Sequence, residues 1–279
     1  MYENDDSVLL VFQFLALNIM HISHVLTCWV PSLVASKIGD RNMEESGQKF
    51  DATEHFDEKR ANVYEAKIRR IVPGYEVMHD LSLNFLHNYL PTQAHILVSG
   101  AGTGQEVLSY SQANPTWQIT GVDPTEKMLS VAIERVNEKD LSDRIHLTQG
   151  QVKDLPHTPC FDAATSILVM QFIPDDGSKK EYLTEISSRL KPGAKFIIID
   201  LVGDKTTHEF KMFISTWEAR QLLKEEDKEE VKKDFEHIQQ DLQFITENRM
   251  NDLLQEVSFK EIHKFFQSYL FSGWIAEKI

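Results

Sequence analysis

The run His95-Ile96-Leu97-Val98-Ser99-Gly100-Ala101-Gly102-Thr103-Gly104-Gln105-Glu106 decides the fold. Its first five residues form an apolar strand, its glycines fall at every second position, and a polar pair then opens a helix. Glycine is needed where the backbone takes a positive φ or where a Cβ would collide with a bound molecule. A bend of this kind at the carboxyl end of a first strand is where open α/β sheets bind nucleotide-like ligands. Asp123 ends the next strand candidate nineteen residues after Gly104, and a carboxylate there can accept hydrogen bonds from both hydroxyls of a ribose. Pro124 follows at the favoured first position of a helix, so the same aspartate also reads as an N-cap.

The glycine spacing then separates cofactors. The dinucleotide fingerprint is Gly-x-Gly-x-x-Gly, with a helix amino terminus that cradles a pyrophosphate. Here the spacing is Gly-x-Gly-x-Gly, with Gln105 and Glu106 opening the helix. A carboxylate at that point repels a pyrophosphate but tolerates a ligand carrying a sulfonium and an ammonium. The pattern therefore points to S-adenosylmethionine rather than NAD.

Working outward, helical and strand-like runs alternate after Phe50, the signature of a parallel sheet covered by helices. Helices are expected over Glu58 to Ile71, Tyr75 to Tyr89, Gln105 to Ala113, Thr125 to Lys139 and Lys179 to Leu190. Strands are expected over His95 to Ser99, Gln118 to Val122, Arg144 to Leu147, Asp162 to Val169 and Lys195 to Leu201, the last preceded by a tight turn at Lys191-Pro192-Gly193. Past Asp204, Val231, Phe235, Ile238, Leu242 and Ile245 make a helical core stripe. Phe259 to Phe266 and Tyr269 to Ala276 read as an antiparallel pair joined by Gln267-Ser268.

The 279 residues carry 29 basic and 43 acidic side chains, a net charge of −14. A chain this acidic lacks the positive field that grips nucleic acid. Two cysteines cannot make a disulfide framework, which suits a reducing, cytoplasmic compartment. No Cys-x-x-Cys or His-Glu-x-x-His is present, so no metal site is expected.

Residues 1–42 differ from the rest. Twenty of the 28 residues from Val8 to Ala35 are apolar and none is charged, yet Gln13, Asn18, His21, Ser23, His24 and Thr27 interrupt the run and Pro31 would kink a helix. The acidic start at Glu3, Asp5 and Asp6 is wrong for a signal peptide. A membrane anchor through residues 8–35, a helix packed on the domain, and translation from a start upstream of Met43 all stay open. Residues 43–279 then form the main domain.

Strand-GAGTG-helix, Asp123, Gln151-Val152 and Leu190-Lys191-Pro192-Gly193 together resemble the class I S-adenosylmethionine-dependent methyltransferases. Phe56-Asp57-Glu58, Val72-Pro73-Gly74-Tyr75 and Gln171-Phe172-Ile173-Pro174 are similar to the carboxy-S-adenosylmethionine synthase branch of tRNA wobble-uridine modification. The resemblance implies an α/β fold with a Rossmann-like, seven-stranded, mostly parallel sheet, helices on both faces, an antiparallel last strand and a helical lid after the fifth. It implies cofactor contacts from Tyr75, Gly100, Ala101, Gly102, Gly104, Asp123, Pro124, Met128, Gln151, Val152 and Leu168. Val98 stands where many of these enzymes carry an acid, Ile167 where the synthases carry asparagine, and the synthases' carboxylate-binding arginine has no counterpart in register. Plain methyl transfer to a small-molecule acceptor is therefore preferred to carboxy transfer, with a non-catalytic nucleoside-binding module and an NAD-linked oxidoreductase as further alternatives. Trp217, in a stripe with Phe210 and Phe213, and Arg220 are candidates for substrate contact. No catalytic base stands out, and a homodimer is allowed.

Overall fold

A computed structural model of the chain describes residues 58–224 and 227–279, with residues 58–64 described by their backbone alone. The expectations for residues 1–42, including membrane contact, and for Phe56-Asp57 lie outside the described residues. No helix among the described residues is long and apolar enough to cross a membrane.

Helices α1 (Glu58–Ile71) and α2 (Tyr75–Tyr89) lead into the sheet. Then come β1 (His95–Ser99), α3 (Gln105–Ala113), β2 (Gln118–Asp123), α4 (Glu126–Glu138), β3 (Ile145–Gln149), β4 (Phe161–Ile167), α5 (Ser178–Ser187) and β5 (Leu190–Leu201). Three helices follow, α6 (His208–Lys224), α7 (Lys228–Asp241) and α8 (Glu247–Glu256), before β6 (Phe259–Ser268) and β7 (Phe271–Lys278). The strand order is β3-β2-β1-β4-β5-β7-β6. Neighbours from β3 to β5 are parallel, and β7 runs antiparallel to both β5 and β6. The sequence expectation of a mostly parallel seven-stranded sheet with an antiparallel last strand holds.

The central strands are apolar on both sides because helices cover both faces. Successive residues of a strand point to opposite faces, and the core divides accordingly. Ile96, Val98, Ile197 and Ile199 pack with α2, α3, α4, α6 and α7. Leu97, Phe196 and Ile198 pack with α5 and α8.

Three boundaries differ from the sequence reading. Lys191-Pro192-Gly193 does not precede β5 but loops out within it: Phe161 pairs with Leu190, the register then shifts, and Ala163 pairs with Lys195. Gly193 absorbs the excursion at φ +81°. The β6–β7 turn falls on Tyr269-Leu270, two residues later than expected, since Gln267 and Ser268 pair with Ser272 and Phe271. Tyr269 takes the left-handed conformation (φ +49°), and Leu270 turns inward, its carbonyl accepting from Val202 N at 2.8 Å. The stripe from Val231 to Ile245 is buried throughout, but its helix ends at Asp241. Leu242 and Ile245 belong to an extended segment, where Ile245 bridges Val202 in parallel. Helix α8 had not been anticipated. Its signals are Thr246, whose hydroxyl accepts from Arg249 N, and Met250, Leu253 and Leu254 at helical spacing.

Candidate cofactor site

A cavity of about 600 Å³ opens at the carboxyl ends of β1, β2 and β4. The glycine loop forms one wall. Gly100 N and Ala101 N both donate to Val122 O at 2.9 Å, which ties the bend to β2. Gly100 sits at φ +78°, and a Cβ there would lie 2.3 Å from Val169 Cγ2. The residue must be glycine for conformation and for space. Gly104, at φ +94°, does a different job from the one expected of it. It does not line the cavity; a Cβ there would press on Ala132 of α4 at 3.2 Å, so its absence lets α3 and α4 approach.

Asp123 is buried at the end of β2 and holds the loop with both oxygens: Oδ2 accepts from Gly102 N at 2.9 Å and Oδ1 from Thr125 N at 2.8 Å. The capping role weighed from the sequence is therefore present. Two amides still leave lone pairs on a carboxylate, and the side chain faces the cavity. Burial pushes its carboxyl above the usual aspartate range, against the pull of those amides. Glu106, in the first turn of α3, is buried on the same wall. Burial first, and the charge of Asp123 second among the raising effects, push its carboxyl up to about 8.

The floor is a chain of hydroxyls. Tyr182 of α5 places its phenol 2.8 Å from Ser99 Oγ on β1 and 2.7 Å from Ser166 Oγ on β4. Opposite the loop, Gly150 N donates to Asp123 O at 3.0 Å, and Gln151 N donates to Asp154 Oδ2 at 2.7 Å. These bonds set Gln151 and Val152 along the rim. Leu168 sits at φ +60°, a costly conformation for a leucine, held by its N–H to Ile199 O at 2.8 Å.

The roof comes from α1 and α2 through Ile68, Tyr75 and His79. Polar contacts clamp α1 on the glycine loop. Glu65 accepts from Thr103 Oγ1 at 2.8 Å and pairs with Arg135 of α4. Arg69 donates to Gln105 Oε1 at 2.9 Å, pairs with Glu76, and lies over the Tyr75 ring. His79 meets Tyr75 edge-on at 4.5 Å. Burial, helped by the positive charge of Arg69, pushes its imidazole down to about 4.

A methyltransferase-domain family model matches residues 96–193, the stretch from β1 into β5 that supplies all of this cavity's lining except its roof. Residues 96–193 thus carry a methyltransferase domain. Across 227 residues the chain is 26% identical to the carboxy-S-adenosyl-L-methionine synthase of Dichelobacter nodosus, covering 80% of the chain and 92% of that protein. It is 28% identical over 142 residues to the demethylmenaquinone methyltransferase of Lactiplantibacillus plantarum, covering 47% of the chain and 59% of that relative. A solved S-adenosylmethionine-dependent methyltransferase of Methanosarcina mazei superposes with a TM-score of 0.51 at 18% identity, covering 70% of the chain and 97% of that structure, a likeness of fold.

Ten of the residues expected at the methyltransferase cofactor site line the one cavity: Tyr75, Gly100, Ala101, Gly102, Asp123, Pro124, Met128, Gln151, Val152 and Leu168. Ile167 lines it too, whereas Val98 points into the core. Trp217 and Arg220 do not reach the cavity. Trp217 is buried against Phe235 and Phe271, and its indole N–H donates to Ile71 O at 2.7 Å. Arg220 donates to Arg70 O at 3.2 Å. Helix α6 satisfies the last carbonyls of α1, which have no partners within their own helix, so the stripe serves packing. Helices α6 and α7 bear on the site through α1, where Lys67 pairs with Glu230 and Asp234 of α7 at 2.6 and 3.0 Å, and α8 bears on its other side, where Arg249 pairs with Asp175 at 2.9 Å. Sequence reasoning missed Ser99, Tyr182 and His79. For His79 a signal existed, since it follows Tyr75 by four residues and so shares its helical face.

Proposed function

We propose that the protein transfers the methyl group of S-adenosylmethionine to a small-molecule acceptor within this cavity. The observation that carries the reading is the charge of its walls. Asp123, Asp176, Glu181 and Glu185 line it, with Glu106 able to ionise beside a bound cation, against Lys153 as the lysine or arginine among its lining residues, beside Val152 at the rim. Such a wall suits a cation and repels both a pyrophosphate and a polyanionic acceptor. The residues also fit the donor in shape, because the side-chain-free loop leaves room beside two buried carboxyls. Bound S-adenosylmethionine supplies an activated methyl on a sulfonium, whose leaving group is a neutral thioether.

In this reading Asp123 receives the ribose hydroxyls on the lone pairs its two amides leave free. Gln151 and Val152 border the adenine, with Pro124, Met128 and Leu168 packing against the nucleoside. Tyr75 and the backbone of Gly100, Ala101 and Gly102 border the methionyl end, and Glu106 balances its charge in place of the acid that Val98 replaces. Gly104 contributes by keeping α3 close to α4. Alignment of donor and acceptor under α1 and α2, with water kept out, is worth on the order of 7–11 kcal/mol of barrier. Residues 43–279 make the functional unit, and the two cysteines fit a cytoplasmic setting. Membrane contact through residues 8–35 and homodimer formation are compatible with this unit.

Carboxy transfer is the second reading, favoured by the long match to the synthase. It needs a cation for the carboxylate. Arg69 and Arg135, the arginines nearest the loop, are engaged by Glu76, Gln105, Glu65 and Thr103 O. Mass spectrometry of the ligand that co-purifies with the protein separates the two. S-adenosylmethionine or S-adenosylhomocysteine supports methyl transfer, and a carboxylated sulfonium overturns it.

A further inference from the structure

His79 is 7% exposed, lines the cavity, and has no hydrogen-bond partner among the described residues. Its Nε2 is wholly enclosed and unpaired. Native structures keep few such groups, and each asks for an explanation. A leucine would fill the same space without stranding a polar ring. The ring is fixed from one side by Tyr75 and kept neutral by burial and by Arg69, so it holds one N–H and one lone pair. Both belong to a residue on the roof of the cavity, opposite the glycine loop that borders the donor.

We propose that His79 faces the methyl acceptor, and that the attacked atom is an oxygen or nitrogen still carrying its proton. The proposal rests on the methyl-transfer reading above. The acceptor O–H or N–H donates to the lone pair of Nδ1, the ring nitrogen that is not enclosed, while the ring N–H sits on Nε2. At transfer the nucleophile's lone pair forms the bond to the methyl carbon, and the electron pair of the broken C–S bond stays on sulfur. The acceptor's proton passes to the imidazole and from there to water. A positive charge leaves the sulfonium as one arrives on the ring, so the net charge inside the cavity does not change during the step. That is why a ring that resists protonation beside Arg69 can still take the proton at this moment. A carbon nucleophile offers no such donor, and a thiol offers a weak one. Ile68, Val169 and Phe172 supply apolar surface in the same cavity, so the acceptor pairs one protic group with an apolar body.

The test uses the full chain as wild type, His79→Leu and His79→Gln, with methyl-tritiated S-adenosylmethionine and a metabolite extract of the organism that encodes it. Labelled products are located by mass spectrometry, and each variant's S-adenosylhomocysteine affinity and melting midpoint are measured alongside. The label is expected on oxygen or nitrogen. His79→Leu should keep its melting midpoint and its S-adenosylhomocysteine affinity while transfer slows roughly a hundredfold in kcat, with partial recovery in His79→Gln. Should His79→Leu fail to fold, His79→Met makes the same comparison. Label on carbon or sulfur, absence of product from a wild type that binds S-adenosylhomocysteine, unchanged kcat in the apolar variant, or a loss that merely follows cofactor affinity each overturns the proposal. A wild type that binds no S-adenosylhomocysteine overturns the underlying reading instead.

Discussion

Asp123 and Glu106 show how two carboxyls on one wall divide their work. Asp123 spends part of its capacity on Gly102 N and Thr125 N, so it is both a structural clasp and a ligand-facing acceptor. Asp123→Ala should then weaken S-adenosylhomocysteine binding about tenfold or more, the loss of roughly one charge-assisted hydrogen bond. It should also lower the melting midpoint by a few degrees, because two buried amides lose their partner. Asp123→Asn retains an acceptor oxygen and should recover part of both; calorimetry and thermal melts read the two effects apart. Equal affinity in wild type and Asp123→Ala would reduce the side chain to a cap.

Glu106 gives a pH signature. Its folded carboxyl is pushed up to about 8 by burial, against about 4.5 for a glutamate in water. Below about 4.5 both folded and unfolded chains hold the proton, and between there and 8 only the folded chain does. Stability from this group therefore falls as pH rises through that window and levels off above it. A cation bound nearby favours the ionised form, so donor binding should release a proton near pH 7 and tighten as pH climbs from 6 to 8. Calorimetry in buffers of different ionisation enthalpy measures the release. Glu106→Gln should abolish it and flatten the profile; a release that persists in that variant assigns it to another group.

Among the elements, α1 reaches the site mainly through polar side chains, while Ile71 at its end is buried in the core. Its attachments are Glu65 to Thr103 and Arg135, Arg69 to Gln105, and Lys67 to Glu230 and Asp234. A helix retained this way opens at lower cost than one buried on an apolar face. Glu65→Ala should raise the rate of tryptic cleavage after Lys67, Arg69 and Arg70 by several-fold, with S-adenosylhomocysteine restoring protection. Identical cleavage with and without Glu65 would mean that the helix is held by other contacts. Element by element, the strands that bury both faces and the helices with apolar stripes were legible because hydrophobic period is a local property. The glycine loop and Asp123 were legible for the same reason. The LysProGly excursion and the Tyr269-Leu270 turn were not, because partner strands set them. Trp217 was misassigned since an aromatic stripe looks the same whether it meets a ligand or the end of α1. His79 shares the helical face of Tyr75, but only the fold shows that this face lines the cavity.

Across the whole molecule, the sheet and the site are joined through a buried pair. Lys179 of α5 donates to Met170 O at 2.6 Å and to Gln243 O at 3.2 Å. Asp200 of β5 accepts from Met170 N and Leu201 N, and burial pushes its carboxyl up to about 6 despite the pull of Lys179. The segment carrying Leu168 to Phe172, and the chain between α7 and α8, are thereby pinned to the sheet. Lys179→Met strips Met170 O and Gln243 O of their buried donor and removes the nearby positive charge that favours ionised Asp200, and should cost about 1–3 kcal/mol, a fall of several degrees in melting midpoint. Adding Asp200→Asn should return part of the loss, since the two sites are coupled; additive losses in the double variant would show that they are not.

The interleaving of β7 between β5 and β6 has a consequence for biogenesis. The strand that joins β6 to the rest of the sheet is the last of the seven to leave the ribosome, after every residue of the cavity wall has already emerged. A message cut short before Phe271 would thus yield, rather than a slower enzyme, a polypeptide with two bare ladders at β5 and β6, ready to recruit another chain.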